Sequence, residues 1–175
     1  MENITLETIK QTRLYLDYLE DHVRRVEAAW ELVQKKCKDM RFVYDDFYYH
    51  SINEAVKTHD LSKLSEKEFV QYRRKFYPTK TEKEQDVDNV STIDYEFKKA
   101  LEHHKEKNIH HWECINPDLI HSEINYALMA IDWIAMSKDD NLNAIDFYHK
   151  HKEEMKLKSW AETFICDIFN RVYAK

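Results

Sequence analysis

The chain has 175 residues, of which 43% are hydrophobic and 34% are charged, and its formal net charge is −6 with the histidines neutral. This length and composition predict one folded domain with a hydrophobic core, and the acidic balance disfavours binding to extended nucleic acid or to an anionic membrane surface. The sequence contains no glycine, which excludes the glycine-rich phosphate loops of Walker and Rossmann proteins and the GxSxG nucleophile elbow.

The polar N-terminal segment MENITLETIK lacks the apolar stretch of a signal peptide. The sequence also lacks a run of about 18 apolar residues, so no transmembrane helix is predicted. The cysteines, Cys37, Cys114 and Cys166, are far apart and form no CxxC pair, which excludes zinc-ribbon and thioredoxin motifs. We therefore predict a cytoplasmic protein whose three thiols stay reduced and are buried as small hydrophobic groups.

Apolar residues recur at alternating steps of three and four along most of the chain, which is the period of an α-helix. Two S-x-x-E capping boxes mark predicted helix starts at Ser65 and Ser159. Residues 79–91 are charged and lack an apolar period, so we predict an exposed loop there. The predicted helices cover about residues 5–38, 43–59, 65–77, 92–107, 119–138, 143–156 and 159–174. The predicted fold is all-α, a compact single-domain bundle of six to seven helices.

Histidine and aspartate side chains fall on the inward faces of three predicted helices. His22 flanks the apolar stripe of the first helix, and His59 continues the inward face of the second with Asp60 beside it. Asp132 lies within the apolar stretch LMAIDWIAM, where an ionised carboxylate is costly unless it is paired or bound to a metal. Each residue alone has an ordinary explanation as a hydrogen-bonded core group. Together they predict a divalent-metal site inside the bundle.

The order His22, then His59-Asp60, then Asp132 resembles the H…HD…D signature of the HD-domain metal-dependent phosphohydrolase superfamily. The stretches YLEDHVRRVEAAW, HDLSK, HHKEKNIHHWE and AIDWIAMSKD are similar to a bacterial and phage branch of HD-like proteins, with motifs of the forms HDxSK and HHxE. The resemblance covers roughly residues 12–155. It implies one HD-like helical domain with a C-terminal helix at about 159–174, and a metal ion held by all four of these residues.

The segment HHKEKNIHHWE contains four histidines in nine residues. His110-His111 followed by Glu113 resembles the adjacent histidine pair of the two-metal HD-GYP phosphodiesterases. This resemblance implies that His104, His110 and His111 bind a second metal or the substrate phosphate, whereas an exposed polar loop is the alternative. The chain has no GYP tripeptide, and the spacing from His104 to His110 is shorter than in HD-GYP proteins, so the number of ions stays open between one and two.

The resemblance implies that a metal-activated water attacks a small phosphate ester, with a nucleotide or cyclic nucleotide as the favoured substrate. Histidine and carboxylate ligands suit Mn, Fe, Co, Ni or Zn. Asp60 would bridge to a second metal or orient the water, and Lys63 would neutralise developing phosphate charge. Tyr72, Arg73 and Arg74 suit base stacking and phosphate binding, although a buried aromatic stripe with a solvated basic face gives the same pattern.

Two other functions remain open at this point. Some HD-fold proteins use the same ligand types for oxygen chemistry, so the clustered histidines also fit a di-iron oxygenase. The protein could equally be a non-catalytic HD-like module that sequesters a nucleotide or a partner protein. The oligomeric state, including a homo-oligomer, is not determined by the sequence.

Overall fold

The computed structural model describes residues 5–88, 92–137 and 143–174. Within these residues the protein is all-α, as predicted, with nine α-helices, two 3-10 helices and no strands. The α-helices are α1 Leu6–Lys36, α2 Arg41–Tyr44, α3 Asp46–Lys57, α4 Phe69–Phe76, α5 Lys80–Asp88, α6 Thr92–Lys107, α7 Ser122–Met136, α8 Ala144–Met155 and α9 Ser159–Tyr173. The 3-10 helices are Leu61–Leu64 and Trp112–Cys114. None of the described helices combines the length and the apolar character that a membrane span requires.

The residues group into two compact units. The first unit comprises Met1–Asp21 and Asp60–Asn108, and the second comprises His22–His59 and Ile109–Lys175. Two of the three boundaries fall at residues of the H…HD signature, since one lies just before His22 and another lies between His59 and Asp60. The prediction that the whole chain forms one HD-like domain stays a prediction.

The first unit has a small aromatic core. The buried side chains of Tyr15, Leu19, Tyr72 and Ala100 form its centre, and α4 packs against α6. Tyr15 and Phe69 place their ring centroids 5.3 Å apart in a tilted arrangement that is favourable for aromatic pairs. This unit therefore depends on ring contacts between α1, α4 and α6 rather than on an extensive aliphatic interior.

The prediction of an exposed loop at residues 79–91 is wrong for Lys80–Asp88, which form α5. The Glu82 backbone N–H donates to Thr79 Oγ1 at 3.2 Å, and the Thr79 backbone N–H donates to Glu82 Oε2 at 2.7 Å, which is a reciprocal capping box. Arg73 donates two hydrogen bonds of 2.6 Å to the same carboxylate and ties α5 to α4. These polar contacts replace the apolar stripe that the segment lacks. Residues 89–91 of the predicted loop lie outside the described residues.

The second unit contains the larger core, with α7 at its centre. Ten of the fifteen residues of α7 are buried, because it packs against α2, α3, α8 and α9. Val26, Trp30 and Val33 of α1 add one face of the same core. A helix that is apolar around most of its circumference must be enclosed in this way. The helix predicted at residues 119–138 is confirmed, although it begins only at Ser122. Lys138 lies outside the described residues.

The second predicted helix, residues 43–59, is divided in the structure. Asp45 adopts an extended backbone conformation between α2 and α3, and its carboxylate accepts hydrogen bonds from the backbone N–H groups of Phe47 and Tyr48. Asp45 is thus the N-cap of α3. The helix then ends at Lys57, so His59 lies in the following turn rather than on the helix itself.

The capping boxes predicted at Ser65 and Ser159 do not form. α4 begins only at Phe69, and Glu68 is occupied by other partners described below. α9 does begin at Ser159, but Lys158 is its N-cap and no side chain caps it. The prediction that the cysteines are buried holds for Cys37, where burial raises the pKa to about 11, whereas Cys114 is exposed and Cys166 is partly exposed.

The division between α2 and α3 leads to a stability prediction. We expect Asp45→Ala to lower the free energy of unfolding by about 1 kcal/mol, because two backbone N–H groups lose their acceptor. Asp45→Asn is the matched control, since an amide oxygen caps a helix nearly as well as a carboxylate. Urea unfolding followed by circular dichroism measures both variants. Equal losses in the two variants would show that the cap does not stabilise α3.

Candidate metal centre

Three of the predicted metal ligands meet inside the second unit. Asp132 Oδ1 lies 3.5 Å from His22 Nε2 and 3.4 Å from His59 Nε2. His22 and His59 are 3% and 4% exposed, and the Asp132 side chain is 16% exposed. The three residues come from α1, from the turn after α3 and from α7, so the cluster joins segments that are distant in sequence.

Local structure explains why each of these side chains points inward. His22 precedes Val26 and Trp30 by one and two turns of α1, and all three lie on the buried face. The backbone N–H of His59 donates to the carbonyl of Val56 at 3.2 Å, which continues the inward direction of α3 beyond its last residue. Asp132 lies at the edge of the buried face of α7, where one oxygen can reach both imidazoles.

Two further histidines extend this cluster. The rings of His59 and His110 are stacked at a centroid distance of 4.3 Å, and His110 and His111 are 4.4 Å apart. The rings of His22 and His59 are separated by 5.1 Å. The second unit thus contains a continuous row of four imidazoles with a carboxylate at one end. His110 and His111 were predicted to hold a second metal together with His104, which belongs to the first unit, and that prediction stays a prediction.

The electrostatic balance favours an ionised Asp132. Burial alone would raise the pKa of its carboxyl group, but the neighbouring imidazoles of His59, His110 and His22 hold the pKa below its usual value. A tetrahedral site with metal–ligand bonds of about 2.1 Å places its ligand atoms about 3.4 Å apart. The observed separations of 3.4 and 3.5 Å match that spacing. His22, His59 and Asp132 could therefore hold a metal ion.

Asp60, the second residue of the HD dipeptide, is described within the first unit. It adopts the left-handed conformation with φ 58°, which turns the chain sharply after His59. Its carboxylate accepts a hydrogen bond of 2.6 Å from Lys63 Nζ and lies 3.3 Å from His104 Nε2. Lys63 therefore neutralises Asp60 in this structure. The predicted roles of Asp60 as a ligand and of Lys63 as a phosphate partner stay predictions.

Glu68 is a site residue that the sequence pattern did not reveal. It is completely buried, and its carboxylate accepts a hydrogen bond of 2.9 Å from Ser62 Oγ. His103 Nδ1 and His104 Nδ1 lie 2.6 and 2.9 Å from its two oxygens. His104 Nδ1 contacts Glu68 Oε2, and its Nε2 faces Asp60 at 3.3 Å. Glu68 thus fixes the orientation of His104, in the way that carboxylates orient metal-binding histidines.

The predicted substrate-binding residues also lie in the first unit. Tyr72 is buried in the aromatic core, and Arg73 is held by the carboxylate of Glu82. Arg74 donates to Glu96 at 2.8 Å. Both guanidinium groups would have to exchange a carboxylate for phosphate in order to bind a substrate. Their assignment to substrate binding stays a prediction.

A cavity of about 270 Å³ lies beside Asp132 in the second unit. Its described walls contain His111 and Asp132 together with Trp112, Trp133, Met136 and Phe147. Sequence reasoning did not identify this cavity. One signal was available, since each tryptophan directly follows a candidate ligand in the sequences HHW and IDW.

The contrast between Ser65 and Glu68 gives a prediction. We expect Glu68→Ala to lower the free energy of unfolding by about 3 kcal/mol, because buried His104, partly buried His103 and the Ser62 hydroxyl all lose this carboxylate. Ser65→Ala is the matched control and should be nearly neutral, since Ser65 Oγ has no hydrogen-bond partner among the described residues. Urea unfolding measures both. A capping box would instead give comparable losses of about 1 kcal/mol for the two variants.

Comparison with known proteins identifies a family but no relative of known function. No curated protein and no solved structure matches the chain. A family model described as "Family of unknown function (DUF5662)" matches residues 11–171, which is nearly the whole chain. The match includes every candidate ligand and both tryptophans of the cavity. The chain therefore belongs to the DUF5662 family of unknown function.

Proposed function

We propose that the protein is a divalent-metal-dependent phosphohydrolase that acts on a small phosphate ester. The observation that carries this proposal is the convergence of His22 Nε2 and His59 Nε2 on Asp132 Oδ1 at ligand spacing. Direct N–H···O hydrogen bonds are usually near 2.9 Å, so the longer separations suit three ligand atoms around one ion better than a simple hydrogen-bonded triad.

The donor set favours a catalytic ion over a structural one. Two imidazoles and one carboxylate leave a coordination position open, whereas structural zinc sites have four protein ligands. The same donors suit Mn, Fe, Co, Ni or Zn. Such an ion polarises a phosphoryl oxygen and lowers the pKa of water from 15.7 to roughly 7. The adjacent cavity supplies the space for a substrate on the side of Asp132.

The surrounding residues have distinct tasks in this proposal. Asp132 supplies the negative charge that attracts the cation, and its depressed pKa keeps that charge at neutral pH. His110 stacks on His59 and fixes the plane of the His59 ring. His111 lines the cavity and can contact the phosphate of a bound ester. The roles predicted for Asp60 and Lys63, which are to orient the attacking water and to neutralise phosphate charge, rest on the sequence resemblance alone, and the activity measurement tests that of Asp60.

Metal content gives the first test. We expect the purified protein to bind about one transition-metal ion per chain, and Asp132→Asn or His22→Ala to weaken this binding at least 10-fold, since even changes outside the ligand set have effects of that size. His149→Ala is the matched control, because His149 is exposed on α8. Elemental analysis and titration with zinc measure these affinities. A wild-type protein that binds no transition metal at micromolar concentration would contradict the proposal.

Activity gives the second test. We expect hydrolysis of bis(p-nitrophenyl) phosphate or of a nucleotide that requires one of the five metals. Asp132→Asn and Asp60→Ala should each reduce the rate at least about 100-fold, the scale of losing one catalytic group. His149→Ala should keep the wild-type rate. Full activity in Asp60→Ala would contradict the assignment of the HD dipeptide to the reaction, even if the metal were still bound.

A further inference from the structure

The second unit contains another cavity, of about 380 Å³, which we call the Ile120 cavity. Its described walls include a buried tyrosine, two charged residues and three exposed apolar residues: Arg41, Tyr48, Leu119, Ile120, Glu123 and Trp160. None of these six residues lines the cavity beside Asp132. An apolar space of about 150 Å³ already accommodates a benzene-sized group, so the Ile120 cavity has room for a large side chain.

The apolar residues around this cavity are unusually exposed. Ile120 and Leu119 are 85% and 61% exposed, and Trp160 is 39% exposed. Phe47, which is 55% exposed, extends the same surface, because its ring lies 4.8 Å from the ring of His121 in the cavity wall. Single exposed apolar residues are common, whereas a group of them around a concave surface marks an interaction site.

The turn that carries Ile120 is held in a costly conformation. His121, the next residue, adopts the left-handed conformation with φ 70°, which is unfavourable for a residue other than glycine. Its Nδ1 lies 2.8 Å from the hydroxyl of Tyr48, and its ring also packs against the rings of Tyr48 and Phe47. These contacts fix the turn with Ile120 protruding into solvent. An apolar group that is presented rigidly loses little conformational entropy when it binds.

The charges around the cavity indicate what it binds. Arg41 and Glu123 place one charge of each sign at the same cavity, and Asp118, which precedes Leu119, is paired with Lys158. The whole chain has a net charge of −6, so two copies repel each other over most of their surface. The balanced charges at the Ile120 cavity avoid this repulsion. They also complement themselves under two-fold symmetry, since Arg41 of one copy can face Glu123 of the other.

We propose that the protein forms a two-fold symmetric homodimer in which Ile120 of each copy enters the Ile120 cavity of the other. The exposed side chains of Leu119 and Trp160 become buried in this dimer, and the removal of apolar surface from water drives the association. Arg41 of each copy pairs with Glu123 of the other at the edge of the interface. None of the candidate metal ligands lines this cavity, so the dimer does not depend on the function proposed above.

Sedimentation equilibrium tests the dimer. We expect the wild type to dimerise with a micromolar or lower dissociation constant, the range of interfaces of standard size. Ile120→Glu should weaken the dimer at least about 10-fold, because each copy contributes one such residue and two carboxylates would be buried. Leu6→Glu on α1 is the matched control, since Leu6 is 86% exposed and lies outside the cavity. A wild type that remains monomeric at about 1 mM, or a dimer that Ile120→Glu leaves intact, would overturn the inference.

Exchange of charges tests the two-fold arrangement. Arg41→Glu and Glu123→Arg should each weaken the dimer, because each variant places like charges opposite one another at two symmetric contacts. A mixture of the two variants should associate more tightly than either alone, since both contacts then join opposite charges. Circular dichroism verifies that each variant is folded, and misfolded chains would not regain association on mixing. A mixture that associates no better than the separate variants would overturn the proposed pairing.

Discussion

Asp132 brings an ionised carboxylate to a helix of which ten of fifteen residues are buried. Removing such a charge from water costs several kcal/mol unless neighbouring groups compensate. The compensation comes from His22 and His59, which α1 and the turn after α3 must deliver to within 3.5 Å of one oxygen atom. The packing of α1, α3 and α7 is therefore tied to the position of this carboxylate, and a bound cation would strengthen the same arrangement.

The first unit contains a second buried carboxylate that is stabilised in a similar way. Glu68 is completely buried and is surrounded by His103, His104 and Ser62. It does not need to be a metal ligand to matter for chemistry, because its contact with Nδ1 fixes the orientation of the His104 ring. Both units thus combine a fully or largely buried acid with imidazoles. Such polar networks are costly when a member is lost, which makes their geometry well defined.

The sequence was sufficient for those features that depend on periodicity. The all-α class, the bounds of α6, α8 and α9 to within one residue, and the inward position of His22 follow from spacings of three and four residues, whereas Asp132 was identified by its apolar neighbours. Capping could not be read in the same way, because the S/T-x-x-E pattern occurs at Ser65 and Thr79 alike. Only at Thr79 does the glutamate remain near its own helix start, where Arg73 also holds it, whereas Glu68 is drawn to histidines more than thirty residues away. A local sequence pattern therefore does not determine whether the glutamate caps its own helix or binds residues that are distant in sequence.

The cavity beside Asp132 could not be predicted from the sequence either. Its position next to the candidate metal ligands nevertheless follows from helix geometry. Neighbouring residues on a helix differ by about 100° in direction, so Asp132 can face the histidines while Trp133 faces the cavity. The rings of Phe147 and Phe169 hold Trp133, and this contact restricts rotation of α7 about its axis. The direction of the Asp132 carboxylate therefore depends on the same aromatic packing that shapes the cavity. A substitution that enlarges the cavity at Trp133 would disturb the ligand as well, whereas Trp112 lies outside α7 and can change the cavity without this effect on α7.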